Sequence, residues 1–304
     1  MADVDYLAFR PHPEVWALVA AVVALGLYAT RVVGPKAVPA GEVIATRRQK
    51  GFFLGGVALL WLASDWPVHD VGEQYLYWVH MTQHLALTLV MPALFLLATP
   101  TWLARLVIGN GRLGEAVAVW VRRLSMPVVA GVLFNAAVIF SHWPAVVNAS
   151  VASGPTHYAL HLLVVATAFC MWMPVCGPLP ELRMSLPGQM VYLFMMSVVP
   201  TVPGAWLTFA EGAVYSAYDL PARMWGISVT HDQQAAGLIM KLAGGTYLWV
   251  VITYQFFTWA SRHEAAQKAD RHVTERDVLT WDDVAAEFER TPAPAEPSSG
   301  TDRA

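Results

Sequence analysis

Residues 78–97 read WVHMTQHLALTLVMPALFLL, twenty residues without one Asp, Glu, Lys or Arg. At 1.5 Å rise per residue, such a run makes a helix about 30 Å long, the thickness of a bilayer's hydrocarbon core. Two histidines, His80 and His84, stand near its beginning, so the segment that decides the fold also carries the first hint of chemistry.

Working outward from it, comparable apolar runs occupy 15–33, 52–66, 126–143, 157–175, 190–209 and 233–260. The chain has 304 residues, 56% of them apolar and 13% charged, with a mean hydropathy of +0.46. That balance excludes an ordinary soluble domain. The expectation is an all-α polytopic membrane bundle of seven transmembrane helices.

Lys and Arg set its orientation, because short cytoplasmic loops carry them in excess. Arg31, Lys36, Arg47, Arg48 and Lys50 fill the first loop, and Arg105, Arg112, Arg122 and Arg123 the third. Arg183 lies in the fifth, and Arg262, Lys268, Arg271 and Arg276 follow the last span. The intervening loops hold Asp70, Glu73, Glu211 and Asp219 with a single Arg223. The N-terminus is therefore expected outside and the C-terminus inside. Asp3 and Asp5 replace a basic leader region, so no cleaved signal peptide is expected. A net charge of −3 with no basic arm argues against nucleic acid.

The organisation reads as an outer segment 1–14, a membrane domain 15–260, a cytoplasmic tail 261–290 and a disordered tail 291–304 rich in Pro, Ser and Ala. Trp102, Leu103, Leu106, Val107, Leu113, Val117 and Trp120, interleaved with arginines, suit a helix on the inner surface or a packed loop helix. Val278, Trp281, Val284, Ala285 and Phe288 recur at helical spacing behind Thr280, a candidate cap.

Eight of the ten histidines fall on the outer side, leaving His263 and His272 in the inner tail. His80 and His84 form H-M-T-Q-H at the start of the third span, and i, i+4 spacing puts both rings on one face about 6 Å apart. His157 and His161 repeat the spacing at the start of the fifth. His142 ends the fourth span at the same level and His231 precedes the seventh, while His12 and His69 lie in outer segments. One such pair would be ordinary interfacial hydrogen bonding; two on different helices point to a metal or haem site. Imidazole suits copper, zinc and iron alike.

Asp232 and Gln233 open the seventh helix and, with Gln83, are candidates to hydrogen-bond a ligand imidazole. Gly237 permits close helix approach. Met81 and Met240 are secondary soft-ligand candidates, although methionines more often fill core gaps. Lys241 lies about 15 Å deeper than His231, where an unpaired charge is costly; it is expected to face the bundle interior or be neutral, with uncharged groups such as Asn135 as partners. Cys170 and Cys176 sit on the reducing side, so no disulfide is expected.

With H-M-T-Q-H at His80–His84, H-Y-A-L-H at His157–His161 and D-Q-Q-A-A-G-L-I-M at Asp232–Met240, the chain resembles the CtaG family of seven-span cytochrome c oxidase assembly factors, over roughly residues 18–260. The resemblance implies a non-enzymatic protein needed to form an active haem-copper oxidase, helping to insert copper at an oxidase metal centre. Its expected partners are the bilayer, an oxidase subunit and a copper-donor protein. His80, His84, His157, His161, Asp232 and Gln233 match family motifs; His142 and His231 rest on location. The rival readings are a haem-binding redox protein and, from Lys241 and the proline-broken sixth helix (Pro200, Pro203), a metal or ion transporter. No nucleophile elbow, phosphate loop or paired catalytic carboxylates suggests an enzyme.

Overall fold

A computed structural model describes residues 5–109, 111–277 and 281–290. The sequence reading of the first residues, of Val278 and Thr280 and of the tail from Thr291 lies outside them. The described residues form helices and no strand. In chain order these are α1 (Pro13–Ala37), α2 (Arg47–Ser64), α3 (Val68–Gln74), α4 (Tyr77–Ala98), α5 (Thr101–Ile108), α6 (Gly111–Leu124), α7 (Pro127–Ser141), α8 (Pro144–Ala152), α9 (Gly154–Cys176), α10 (Leu186–Thr208), α11 (Val229–Asp277) and α12 (Trp281–Arg290).

Five of them (α1, α4, α9, α10 and α11) are long and apolar enough to cross a membrane. Two bent pairs raise the number to as many as seven: α2 with α3, bent by 43°, and α6 with α7, bent by 73°. Outward faces carry Leu25, Leu54, Val128, Leu162, Val191 and Val250, all exposed. Such a surface is stable only against lipid, and the protein is a multi-pass membrane protein.

Met1–Phe256 form one compact unit and Phe257–Ala304 another. In the second, α12 exposes Trp281 and Phe288 on one face. In the first, α9 packs along α7 and α4, and α2 lies against the second half of α4. The core joins Met81, Leu89, Phe134, Val164, Met171, Trp172, Leu193, Tyr215 and Met240.

Proline shapes these helices. Pro92 has no N–H and its ring crowds the carbonyl of Thr88, four residues back. The chain answers with a π-turn at Ala86–Val90, and the freed Thr88 carbonyl accepts a bond from the Trp172 indole at 3.3 Å. A second π-turn, Ala29–Val33, precedes Pro35 in α1. Pro200 and Pro203 interrupt α10, as its sequence foretold.

α10 and α11 meet backbone to backbone. A Cβ placed on Gly237 would lie 2.5 Å from the Gly204 carbonyl oxygen and 2.8 Å from the Thr208 nitrogen. Gln255 donates to Gln189 at 2.8 Å further along the same pair. At the N-terminus, the Trp16 and Trp61 indoles both donate to Asp65, at 2.8 and 2.7 Å, tying α1 to α2. The preceding strip is pinned by His12, whose Nε2 lies 2.9 Å from Asp70 and Nδ1 3.1 Å from Glu14, and by the Trp66 indole on the Leu7 carbonyl at 3.3 Å.

Two outcomes follow. Partial burial disfavours the charged form of His12, but the bonds to Asp70 and Glu14 outweigh it, so its pKa is raised. The anchor is therefore complete below the ordinary value of about 6.5 and is lost as pH rises through the raised value. Proteolysis within residues 5–12 should accelerate across that window, and His12→Gln should flatten the profile; an unchanged profile would show that another contact holds the strip. Secondly, Gly237→Ala gains about 1 kcal/mol of helix propensity, yet its Cβ meets backbone that cannot rotate away, at about 1–3 kcal/mol. The melting temperature in detergent should fall, and further for Gly237→Leu; a rise would mean that α10 and α11 separate freely.

Candidate metal centre

The first four N–H groups of a helix have no partner within it. At the start of α4 two of them are taken by a residue far along the chain: the fully buried Asp232 accepts from the Tyr77 nitrogen at 2.9 Å and the Trp78 nitrogen at 3.0 Å. Arg223 stands 3.7 Å from the same carboxylate. This clasp holds the turn that presents His80 and His84, whose ring centroids are 4.4 Å apart. On α9, His157 and His161 lie 4.2 Å apart. The two pairs face one another, with His84 and His161 at 4.6 Å and His80 and His161 at 5.9 Å.

A third i, i+4 pair joins them from α3, His69 and Glu73. Gly72 makes this possible: a Cβ there would lie 3.0 Å from the His80 nitrogen and 3.1 Å from its Cα. Glu73 Oε1 consequently sits 3.0 Å from both His80 Nδ1 and His157 Nε2. His69 packs against His157 at 5.9 Å and against His12 at 5.0 Å.

Two sets of donors result, His80 with His84 and His161, and His69 with Glu73 and His157; within each, ligand atoms lie within 4.8 Å of one another. Buried polar atoms normally find hydrogen bonds. Here Glu73 Oε1, His80 Nδ1, His157 Nε2 and His161 Nε2 are buried without one. Outer contacts orient the rings. Ser150 Oγ is 3.1 Å from His157 Nδ1, leaving Nε2 to face Glu73, and the Gln83 amide is 3.2 Å from His69 Nδ1. Convergent, orphaned imidazole nitrogens with oriented rings are suited to a borderline cation. They open on a cleft walled by Met81, Ser141, His142, Val147 and Leu160.

The other residues singled out from the sequence fall elsewhere. His142 is buried at the cleft wall, its Nδ1 bonded to the Val138 carbonyl at 2.7 Å and its Nε2 without a hydrogen-bond partner. His231 is exposed, because the first turn of α11 points it away from the bundle. Asp232 caps α4 instead of touching an imidazole, and Gln233 ties the Val214 and Tyr215 backbone to α11. Met81 and Met240 meet Met171 and Met196 around a second cavity below His84 and His142. Lys241 lines that cavity too, yet its side chain is exposed, so it sits at an opening and not in the bundle interior. Asn135 bonds the Gly131 carbonyl at 2.8 Å and Met196 sulfur at 3.3 Å. Cys170 and Cys176 are free thiols away from the cluster. His69, Glu73 and Ser150 were not anticipated; the i, i+4 spacing of the first two was the available signal.

Two curated relatives, the uncharacterized protein Mb0105 of Mycobacterium bovis and the uncharacterized protein MT0111 of Mycobacterium tuberculosis, are each 28% identical to the chain, over 77% of it and 36% of their own length. The chain thus spans about a third of the length of these relatives. No solved structure matches it. The pattern that describes the cytochrome c oxidase caa3 assembly factors matches residues 25–262, which include both donor sets and the Asp232 clasp. The chain belongs to this family of cytochrome c oxidase caa3 assembly factors.

Proposed function

We propose that the protein holds copper at the imidazole set of His80, His84 and His161 and passes it to an oxidase subunit during assembly. The observation that carries this reading is the convergence of three donors from two helices within 4.8 Å, two of them with orphaned buried nitrogens. Three neutral imidazoles bind copper without a fourth strong ligand, and the cleft leaves a side open, so the ion can leave by ligand exchange. Convergence on one point also favours an ion over haem, whose axial imidazoles face each other across a plane.

The charge pattern supports an outer position for this site. Arg105, Arg122, Arg123 and Arg183 lie near the helix ends opposite the histidines, which under the positive-inside bias favours seven spans with an outer N-terminus. The copper would meet the oxidase subunit, or a donor protein, at that outer face. His142 and Met81, on the cleft wall, are positioned to receive the ion as it moves, with Met240 deeper.

Copper analysis of the detergent-purified protein after Cu(I) loading tests the reading. The parent should retain copper, and His84→Ala or His161→Ala should weaken it at least about 10–100-fold, the loss that even an outer-partner change causes at metal sites. Full retention in a folded double variant, or no copper in the parent, would overturn the assignment. Asp232→Ala should weaken copper binding without removing a ligand, since losing a helix cap costs about 0.5–2 kcal/mol. Asp232→Asn, which still accepts one bond, should fall between; equal retention in all three proteins would separate the clasp from the site.

A further inference from the structure

We propose a second, distinct metal site beside the first, formed by His69, Glu73 and His157 and suited to a divalent cation such as Zn(II). It extends the reading that the His80 set holds copper, and three observations support it. The donors are gathered: one ligand atom from each residue lies within 4.8 Å of the others. The carboxylate lacks a fixed counter-ion: the ion pairs of Glu73 among the described residues run only to His80 and His157, both at 3.0 Å, while its side chain is 15% exposed. A buried carboxylate is costly unless a cation balances it, and neutral imidazoles, the form a metal binds, do not. The ring of His157 is oriented from outside the set by Ser150, which can accept from Nδ1 and leaves Nε2 facing Glu73.

The donor chemistry separates the two sites. Three imidazoles carry no charge and suit Cu(I); two imidazoles and a carboxylate offer a harder oxygen and one negative charge, which match a divalent ion. Behind His69, the His12–Asp70 pair at 2.9 Å closes the set toward the N-terminal strip. Glu73 lies between the sets, so a cation in the second site also neutralises the one carboxylate that touches His80, leaving that ring to copper.

The protein in detergent, loaded with one equivalent of Cu(I) and then with Zn(II), is passed through gel filtration and its metals are counted. The parent should keep one copper and one zinc. Glu73→Gln, near-isosteric, and separately His69→Ala should lower zinc affinity at least tenfold while copper stays; His84→Ala should do the reverse. Circular dichroism and elution volume establish that each variant is folded. Copper without zinc in the parent, zinc unaffected by both Glu73→Gln and His69→Ala, or loss of both metals together in a folded Glu73→Gln protein overturns the second site. Zinc without copper would instead overturn the copper reading and leave this one standing, and neither metal would overturn both.

Discussion

The carboxylate of Asp232 is the contact on which the histidine end of the molecule depends. It reaches across 154 and 155 positions of sequence to take two backbone N–H groups at the head of α4. Those donors would otherwise be buried without partners, and a helix head attracts negative charge. The clasp fixes the height of α4 against α11, and neighbouring bonds spread the constraint. Tyr77 packs on Tyr215 and Tyr218 at 4.8 and 5.0 Å. Tyr218 donates to the Gly72 carbonyl and Tyr215 to that of His142. Gln233, beside Asp232, holds Tyr215 from behind. One network thus sets α3, α4, α7 and α11 at a common level, and the imidazoles meet because their helices do.

What this frame presents is an unusual concentration of ligand-competent nitrogen at low charge. Helix backbones provide rigidity and Ser150 orientation, while the open cleft provides exchange. Under the proposed copper reading, three donors per site, with methionine and His142 near by, would give a graded set of weaker contacts beyond the first, which suits handing on better than storage.

Much of this was legible in the sequence. Apolar runs mark the five long helices, and prolines mark the break in α10. Of the two remaining runs, 52–66 is short and 126–143 is not, and in the structure each is the longer arm of a bent pair; a count of hydropathy does not register a bend of 43° or 73°. In the site, His80, His84, His157 and His161 were legible because i, i+4 spacing is local. His231 read as equivalent by depth, but depth leaves open the angle around the helix axis, and that angle turns it outward. Glu73 and His69 read as residues of an outer loop, because the apolar run stops at Trp66. Their helix, α3, is short and polar, and is brought inward by Gly72 against α4, a tertiary fact with no sequence period. Asp232 looked like a partner for imidazole since its bond to residues 77 and 78 is visible only once α11 stands beside α4.

The wide turn at Ala86–Val90 carries a further meaning. One extra residue in a turn rotates everything beyond it by about 100° around the axis. α4 therefore has two angular settings: its first half aims His80 and His84 at α9, while its second half aims Phe95 at Phe53 and Gly56 of α2. In an uninterrupted helix one phase would govern both. The proline that seems to weaken the helix acts as a phase joint, allowing the histidine-bearing half and the packing half to be set independently of each other.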